Sequence, residues 1–503
     1  MTSATITPTD EQAHVVDQFH AGDSMKVQAR AGTGKTSTLR LVADSTRARG
    51  QYVAFNRAIV DEGKRKFGRN VAANTAHSLA YRAVGARYRD RLNGGNRLAP
   101  WHQAELLGVA PVTTEGRGIR RRLTAGFVSG LVMRAVDEWC QTADPIPDTP
   151  DGWARYVPRV EGIDLPNSDG TPTHVANEAL AAEIAPACDR AWDDLCRPDG
   201  ALRFAHGHYL KMWQLEGPRL GADFILFDEA QDASPVMRAV VAAQRDAQVV
   251  WVGDDQQEIY AWAGAVNALA MIDAPTAYLT RSFRFGPQIA DVANTVLELL
   301  GARPGVVGDP GQPGLVDGID EPAAILARTN ATAIATVLAY QRAGVPVHLV
   351  GGADDVTRFS RSAAALMAGD PAYHPDLACF STWGEVRDYV EHEPQGGELK
   401  LLVDLVTTFG PAAVIAAIDG SVAERAARVV VSTAHKAKGR EWPSVQLAAD
   451  LDPTSGDDDE PRAPQPEELR LLYVAATRAR LGLDPTAVPI LHTPTNTPER
   501  ATR

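Results

Sequence analysis

One segment near the start of the chain restricts its possible folds more than any other. Residues 29–36 read ARAGTGKT, a P-loop pattern in which alanine replaces the first glycine. The preceding segment, 25–29, predicts a short strand, and the segment that follows predicts a helix. Gly32 and Gly34 let backbone amides turn toward a phosphate, and the helix N-terminus adds its dipole. The pattern therefore predicts a nucleotide-binding α/β domain.

Side chains for a triphosphate and its metal come from this loop and from a second, acidic segment. Lys35 supplies a positive charge for the β- and γ-phosphates, and the Thr36 hydroxyl is a ligand for Mg²⁺. Asp228 and Glu229 end the apolar segment 224–227, where a Walker-B acid reaches the metal beside a P-loop. Asp228 is then expected to hold Mg²⁺ and Glu229 to take a proton from the attacking water, although an acidic pair by itself is often only a helix cap. ATP and Mg²⁺ are the expected cofactors, and the expected nucleotide contacts in the loop are Ala29, Gly32, Thr33, Gly34, Lys35, Thr36 and Ser37.

Further apolar segments indicate a second domain of the same class. Another strand of the first domain is predicted at 249–254. Later strand-like segments lie at 323–329, 345–352, 428–435 and 444–450. Short buried strands that alternate with helices are typical of parallel α/β sheets. Two stretches of different character, about 88–214 and about 353–427, are predicted to be mostly helical insertions into these domains.

Composition and charge exclude several classes of protein. The formal net charge of −13 argues against a protein that coats DNA with its whole surface, but it allows one local nucleic-acid channel. The four cysteines contain no CxxC pair, so neither a zinc site nor a disulfide framework is expected. No stretch approaches the roughly 20 apolar residues of a membrane span, and the first residues lack a signal-peptide pattern. A cytoplasmic protein without a membrane partner is therefore expected.

Seven more short blocks occur in a fixed order around these two sites. They lie at 9–12 (TDEQ), 53–58 (VAFNRA), 75–80 (TAHSLA), 253–265 (GDDQQEIYAWAGA), 282–285 (SFRF), 433–442 (TAHKAKGREW) and 471–480 (LLYVAATRAR). Together with the P-loop and the DEAQD segment at 228–232, the series resembles the motifs of the UvrD/Rep/PcrA family of superfamily-one DNA helicases and covers nearly the whole chain. The compact second insertion and the segment 206–215 (HGHYLKMWQL) are similar to phage-type relatives and to the F-box DNA helicase branch.

The resemblance implies nucleotide roles for six further residues. Gln12 reads the adenine edge, Gln257 senses the γ-phosphate, Phe283 stacks on adenine, Arg284 touches the γ-phosphate, Glu441 meets the ribose, and Arg478 is a second arginine finger. The expected catalytic residues are Lys35, Glu229, Gln257, Arg284 and Arg478. Since Lys35 belongs to the first α/β domain and both arginines belong to the second, closure of the domains on ATP would complete the site and couple nucleotide state to motion.

The same resemblance implies contacts with a nucleic-acid strand. Aromatic side chains stack on bases at about 1–3 kcal/mol each, with little regard for base identity. Core packing is the alternative for the aromatic residues, and a buried structural role is the alternative for the histidines. The chain departs from the family at Ala263, where arginine is usual, and at Ser37, where an arginine often follows the P-loop threonine. The expected strand contacts are Phe55, Asn56, Thr75, His77, Tyr260, Trp262 and His435.

The fold class predicted with this resemblance is α/β. Two RecA-like P-loop NTPase domains with parallel sheets would each carry a mostly helical insertion, and the second insertion would be reduced. The first domain is expected at 1–88 and 215–280, around a helical insertion (1B) at 89–214. The second is expected at 281–352 and 428–485, around a small insertion (a reduced 2B) at 353–427, with a disordered tail at 486–503.

These assignments favour an ATP hydrolase that acts on DNA in repair, recombination or replication. The leading prediction is an ATP-dependent DNA helicase and single-strand translocase, with 3′-to-5′ polarity and DNA rather than RNA implied only by the family. Two alternatives stay open: a translocase that strips recombinase or other proteins from DNA without unwinding it, and the ATPase subunit of a multi-protein defence or repair complex. The expected partners are single-stranded DNA, tailed duplex DNA and a protein of repair, recombination or defence.

Overall fold

The structure, a computed structural model, divides the chain into two compact units. The first comprises residues 1–28, 35–255 and 260–277, and the second comprises residues 29–34, 256–259 and 278–503. The phosphate loop is thus grouped with the second unit. The residues that the structure describes are 7–54, 57–94, 98–116, 119–158, 175–259, 269–351, 354–374, 377, 380, 382–392, 397–454 and 462–492.

A six-stranded sheet organises the first unit. The strands in this part of the chain are β1 (Met25–Ala29), β2 (Gly50–Ala54), β3 (Val71–Thr75), β4 (Val112–Gly116), β5 (Ile119–Leu123), β6 (Phe224–Phe227), β7 (Gln248–Gly253) and β8 (Thr276–Leu279). The sheet order is β3-β2-β6-β7-β1-β8, and the pairs β3–β2, β2–β6, β6–β7 and β7–β1 are parallel. β6, with the sequence FILF, is buried throughout, as is typical of a parallel strand that is covered on both faces.

Helices cover this sheet and build most of the first insertion. They are α1 (Asp10–His20), α2 (Lys35–Asp44), α3 (Arg57–Lys66), α4 (Ala76–Ala83), α5 (Arg89–Gly94), α6 (Pro100–Leu106), α7 (Ala125–Gln141), α8 (Pro150–Ala154), α9 (Val175–Cys196), α10 (His206–Leu215) and α11 (Pro235–Ala242). Within the insertion β4 and β5 form an antiparallel hairpin. The core of the insertion contains Trp139 of α7, whose ring lies edge-on to Trp153 and Trp192 at centroid distances of 5.0 and 4.7 Å. Such aromatic pairs add about 0.5–1.5 kcal/mol each beyond the area they bury.

The second unit is built on another six-stranded sheet. Its strands are β9 (Leu315–Val316), β10 (Ala324–Ala327), β11 (Val347–Leu349), β12 (Val429–Thr433), β13 (Trp442–Leu447) and β14 (Ala479–Asp484). The order is β11-β12-β10-β13-β14-β9, and all five neighbouring pairs are parallel. Its helices are α12 (Pro287–Leu299), α13 (Asn330–Arg342), α14 (Asp354–Ala368), α15 (Trp383–His392), α16 (Gly397–Phe409), α17 (Pro411–Asp419), α18 (Ala434–Ala437) and α19 (Pro466–Ala476). Two parallel sheets confirm the predicted α/β fold with two RecA-like domains.

The second insertion and the C-terminal segment can be compared with the predictions for them. α14 to α17 occupy the second insertion, and Phe359, Val386 and Val406 belong to a small buried cluster inside it. The predicted disordered tail at 486–503 begins too early. Val488 is fully buried and its amide donates to the Pro485 carbonyl at 2.8 Å, because apolar residues continue among the prolines and threonines there. Residues 493–503 lie outside the described part of the chain.

A membrane span requires a long, continuously apolar helix, and the described helices do not meet that requirement singly. One pair, Leu402–Phe409 with Pro411–Asp419, meets the length and composition criteria together but is bent by 97°.

Candidate nucleotide site and strand-contacting residues

The phosphate loop is shaped by two glycines and by contacts inside the second unit. Gly32 and Gly34 have φ angles of +75° and +78°, which favour glycine. A Cβ atom added at Gly32 would lie 2.5 Å from Ser282 Oγ and 2.6 Å from Arg284 Cβ, so no larger residue fits there. The Phe283 amide donates to the Gly32 carbonyl at 2.8 Å. The loop backbone and this later segment are therefore packed together, as a shared nucleotide site requires.

Lys35 and Glu229 form the central ion pair of the site. α2 begins at Lys35, whose Nζ donates to Glu229 Oε2 at 2.7 Å, with 15% and 22% of the two side chains exposed. Burial opposes the charge on Lys35, but the nearby carboxylates of Glu229, Asp228 and Asp254 outweigh burial and raise the Lys35 pKa above its ordinary value. Lys35 therefore stays protonated, which is the form that binds phosphate.

Glu229 is held by an unusual backbone conformation and by a glutamine. Among the residues that the structure describes, it is the only one besides glycines with a positive φ, 52°, and such residues cluster at functional sites. Gln231 Nε2 donates to Glu229 Oε2 at 2.7 Å, and Gln231 Oε1 accepts from the Asp254 amide at 3.1 Å. Gly253 makes room for this glutamine, since a Cβ there would collide with Gln231 Oε1. The loop after β6 is thus tied to the end of β7.

Asp228 follows β6 directly and is almost completely buried. Its Oδ1 accepts from the Glu229 amide at 3.0 Å, and its Oδ2 accepts from the Tyr52 hydroxyl at 2.7 Å. Burial and the negative charge of Glu229 raise the Asp228 pKa, and the positive charge of Lys35 partly offsets them. The carboxylate lies beside the ion pair of Lys35 and Glu229, so a bound cation there would be near the phosphates that Lys35 attracts.

The donor set fits Mg²⁺ that is bound together with nucleotide phosphates. The described residues contain no group of three or more His, Cys, Asp or Glu side chains that could hold a metal ion by themselves. Mg²⁺ at nucleotide sites uses one or two protein oxygens and completes its shell with phosphates and water. Asp228 at the end of β6 and the half-buried Thr36 in the first turn of α2 supply such oxygens.

The second unit brings together four residues expected to act on the nucleotide. Arg284 Nε donates to Glu441 Oε2 at 2.9 Å, and Arg284 Nη1 donates to the Thr477 carbonyl at 2.9 Å. Arg478 is 1% exposed, and its Nη2 donates to Gln257 Oε1 at 3.4 Å. Both expected arginine fingers are therefore paired with another residue of the expected site.

The two expected adenine contacts differ in accessibility. Phe283 is 43% exposed, so its ring is accessible for stacking. Gln12 is 2% exposed and uses both ends of its amide: Oε1 accepts from the Thr9 amide at 3.1 Å, and Nε2 donates to Thr38 Oγ1 at 3.2 Å. These bonds cap α1 and join it to α2. An adenine contact would require Gln12 to exchange one of them, and that role stays a prediction.

Three of the expected strand contacts lie at strand-to-helix junctions with the same tripeptide, Thr-Ala-His. Thr75 caps α4 after β3, and Thr433 caps α18 after β12. Each junction presents a half-buried histidine, His77 or His435, whose pKa is lowered, chiefly by burial. Each sheet thus places a helix N-terminus and a histidine at the carboxyl end of one strand. The other expected strand contacts, Phe55, Asn56, Tyr260 and Trp262, lie outside the described residues.

The sequence analysis missed three residues of this site: Tyr52, Gln231 and Asp254. Gln231 and Asp254 lie inside the blocks at 228–232 and 253–265, and those blocks are the signal that could have identified them. Tyr52 gives no such signal, because an aromatic residue in a strand predicts core packing. Its bond to the Asp228 carboxylate joins residues 176 positions apart, so only the fold reveals it.

Two family models match the chain. An AAA domain matches residues 12–263, and a UvrD-like helicase C-terminal domain matches residues 428–483. The chain belongs to the UvrD-like superfamily-one helicases. The matched ranges include the P-loop and the acidic pair in the first case and the last two motif blocks in the second.

Curated relatives place the chain more closely within the UvrD-like helicases. F-box DNA helicase 1 of Gallus gallus is 31% identical over 515 residues, which cover 94% of this chain and 48% of the relative. F-box DNA helicase protein 1 of Schizosaccharomyces pombe is 29% identical, with 94% and 57% covered. ATP-dependent DNA helicase UvrD2 of Mycobacterium tuberculosis is 28% identical over 51% of this chain and 46% of its own length. The chain spans about half the length of these relatives, and the greater coverage by F-box DNA helicases confirms the predicted similarity to that branch.

Proposed function

We propose that this chain is an ATP-driven DNA helicase that moves along single-stranded DNA from 3′ to 5′. The observation that carries the proposal is the pairing of Lys35 with Glu229 at 2.7 Å, beside the buried carboxylate of Asp228. A cation for the phosphates, a base for the water and an acid for the metal converge there, as hydrolysis of a nucleoside triphosphate requires. The family of this chain and its relatives, which are named as DNA helicases, support the proposal.

Glu229 is the proposed general base. Its Oε2 accepts hydrogen bonds from Lys35 and Gln231 in the structure. A γ-phosphate would attract the Lys35 ammonium to its own oxygens, so that Glu229 Oε2 could accept a proton from the attacking water. A positioned base contributes about 10²–10⁴-fold to a reaction rate. Asp228 and Thr36 would hold Mg²⁺, which when bound neutralises charge on the β- and γ-phosphate oxygens.

Arg284 and Arg478 are proposed to stabilise the charge that spreads over the transferred phosphoryl group. Arg284 would exchange its bond to Glu441 for a γ-phosphate oxygen, and Glu441 would then be able to accept from the ribose. Gln257 already contacts Arg478, so a γ-phosphate that binds this glutamine would also adjust the position of the arginine. Arginine contacts of this kind contribute about 10³–10⁵-fold in nucleotide hydrolysis.

Each of the two Thr-Ala-His junctions is proposed to contact the strand. Helix N-termini favour anions, and the N-terminal amides of α4 and α18 would therefore face backbone phosphates. His77 and His435, whose pKa values are lowered by burial, would contact the strand as neutral groups. Aromatic stacking by Phe55, Tyr260 and Trp262, with a polar contact from Asn56, completes the proposed strand site.

A translocase that removes proteins from DNA without unwinding it is the second candidate. The observation that favours it is the size of the second insertion, in which the described helices α14 to α17 occupy only residues 354–419. A small insertion provides little surface for holding a duplex ahead of the strand. For the same reason we propose that a protein partner of repair, recombination or defence supplies part of the specificity.

The first test is steady-state ATP hydrolysis with and without single-stranded DNA at a stated low salt concentration. We expect strong stimulation by DNA, with Lys35→Ala inactive in both conditions. A rate of ATP hydrolysis that neither DNA nor RNA changes would contradict the helicase proposal and would favour activation by a protein partner.

The second test separates the two candidates. Duplexes with a single-stranded tail at either the 3′ or the 5′ end are offered with ATP, and strand release is measured. Release that requires the 3′ tail supports the helicase. DNA-stimulated ATP hydrolysis without strand release, together with displacement of a protein bound to single-stranded DNA, supports the stripping translocase instead.

A further inference from the structure

The hydroxyl of Tyr52 has a notable acceptor for a buried tyrosine. Tyr52 lies on β2, is completely buried, and donates to Asp228 Oδ2 at 2.7 Å. Core packing alone would account for the ring, and any nearby acceptor would satisfy the hydroxyl. The acceptor here is the carboxylate that is proposed to hold the metal. A hydrogen bond to an ionised oxygen is roughly twice as strong as a neutral one, so it orients that oxygen firmly.

The two oxygens of Asp228 receive different donors. Oδ1 accepts from the Glu229 amide at 3.0 Å, and Oδ2 accepts from Tyr52. Of the hydrogen bonds that the described residues make to this carboxylate, the bond from Tyr52 is the only one from a side chain. A carboxylate oxygen can accept about two bonds, so each oxygen keeps one direction for a cation. The Tyr52 hydroxyl thereby selects which direction remains for the metal.

The ring of Tyr52 packs against α3 and Phe67, the residue that follows this helix. The centroids of the Tyr52 and Phe67 rings are 4.7 Å apart, and a Cβ added at Gly63 of α3 would be only 2.8 Å from Tyr52 Cε1. On the sheet, Tyr52 is level with Leu226 of the neighbouring strand β6, two residues before Asp228. Protein interiors are packed closely enough that such a ring has no second position. The hydroxyl therefore stays on Asp228.

We propose that Tyr52 is a positioning residue for the metal–nucleotide complex, because it holds the Asp228 carboxylate in the orientation that binds Mg²⁺. The proposal rests on the proposed ATP hydrolase and adds a residue outside the motif blocks to its site. Tyr52 is completely buried and its hydroxyl donates to Asp228, so its effect on the site is expected to pass through that carboxylate. Residues that orient a metal ligand in this way typically contribute 10–100-fold to metal affinity.

The test is the Mg²⁺ requirement of nucleotide binding in Tyr52→Phe, which removes one oxygen and keeps the ring. Binding of a fluorescent ADP analogue is measured while Mg²⁺ is titrated, so that the readout does not depend on hydrolysis. We expect the Mg²⁺ concentration for half-maximal binding to rise about tenfold, and affinity in excess EDTA to stay at the parental value. The matched control is Tyr88→Phe, which removes a buried hydroxyl that donates to the Cys196 carbonyl inside the insertion and should leave the requirement unchanged.

A double substitution shows whether the effect passes through Asp228. In Asp228→Asn the metal ligand is already lost, so adding Tyr52→Phe should raise the Mg²⁺ requirement no further. Phe67→Leu keeps the hydroxyl but loosens the ring, and a rise of about threefold is expected; this variant decides the question if Tyr52→Phe does not fold.

The proposal would be overturned, and the ATP site left intact, if folded Tyr52→Phe needed the same Mg²⁺ concentration for half-maximal binding as the parent. If Tyr52→Phe does not fold, the same result in Phe67→Leu would overturn it. An additive effect in the double variant would also overturn it, because Tyr52 would then act elsewhere. The proposed function would fall together with this inference if nucleotide binding by the parent did not depend on Mg²⁺ and if Lys35→Ala bound the nucleotide as well as the parent.

Discussion

Glu229→Gln should separate ATP binding from ATP hydrolysis. Glutamine keeps the length and shape of glutamate but has no charge. Lys35 therefore loses its anionic partner at 2.7 Å, and the attacking water loses its base. Because ATP competes with Glu229 for the Lys35 ammonium, we expect the variant to bind ATP more tightly than the parent while hydrolysing it far more slowly.

The size of the binding effect follows from the exposure of the ion pair. The two side chains are 15% and 22% exposed, so the pair is stronger than a surface pair, which contributes about 0–1 kcal/mol. Hydrogen bonds to charged groups contribute about 1.5–3 kcal/mol. Glutamine still accepts a neutral bond from Lys35, which leaves a loss of about 1.4 kcal/mol, or roughly tenfold in the dissociation constant. Loss of the base should slow hydrolysis by about 10²–10⁴-fold.

Two assays on the same preparation test this prediction. Equilibrium binding of a fluorescent ATP analogue gives the affinity, and single-turnover hydrolysis gives the rate of the chemical step. Glu138→Gln is the matched control, since it removes an exposed carboxylate from α7 in the insertion and should change neither value. Turnover equal to that of the parent would show that Glu229 is not the base. Slow turnover with unchanged or weaker ATP binding would show that the ion pair does not compete with phosphate.

The remaining predictions concern single side chains. Lys35→Ala should abolish ATP hydrolysis while circular dichroism stays parental, and normal turnover would remove Lys35 from the phosphate site. Arg284→Ala should lower kcat by about 10³-fold; steady-state kinetics that show only a raised KM would argue against a role in the transition state. Trp262→Ala should weaken binding of single-stranded DNA more than binding of ATP, as fluorescence anisotropy would measure, and the opposite order would return Trp262 to core packing. In the parent, the free energy of unfolding should rise as pH increases from about 8 to 10.5. Burial lowers the Lys211 pKa from 10.5 to about 8, so in this range only the unfolded chain keeps the proton. Lys211→Met should remove that rise. Urea unfolding at about pH 7.5 and about pH 10 measures that difference, and parallel changes in parent and variant would contradict it.

The backbone around the P-loop and the acidic pair could be predicted from the sequence because its determinants are local. The P-loop glycines, Lys35 and the first turn of α2 occupy adjacent positions, and their geometry follows from that order. Asp228 and Glu229 end an apolar segment, and the carboxyl end of a parallel strand is where such acids must lie. The two parallel sheets follow from the same alternation of buried segments and helices.

Features that depend on register between distant segments are not accessible to such patterns. Tyr52 faces Asp228 only because β2 and β6 are neighbours in the sheet, although the whole first insertion separates them in sequence. Gln12 shows that a local sequence pattern can also be ambiguous. Its position in the TDEQ block predicts adenine recognition, but the same spacing from Thr9 is that of a helix capping box, and the structure forms the capping box. One pattern can satisfy two physical requirements, and only an experiment distinguishes them.

The expected catalytic cations share one property: each is paired inside its own unit with another residue of the proposed site. The pairs are Lys35 with Glu229, Arg284 with Glu441, and Arg478 with Gln257. Charges that are buried or partly buried are costly when they are left unpaired, so each contact lowers the cost of placing its cation in the site. ATP must exchange them for contacts with its phosphates, and each exchange also gives the former partner its proposed role toward water, ribose or γ-phosphate. In this proposed mechanism binding energy would arrange catalytic groups rather than tighten the ground state, which is how interactions with a substrate raise kcat. It follows that neutralising Glu229 should tighten nucleotide binding and slow turnover together, whereas loss of a contact made only for stability would not produce both effects.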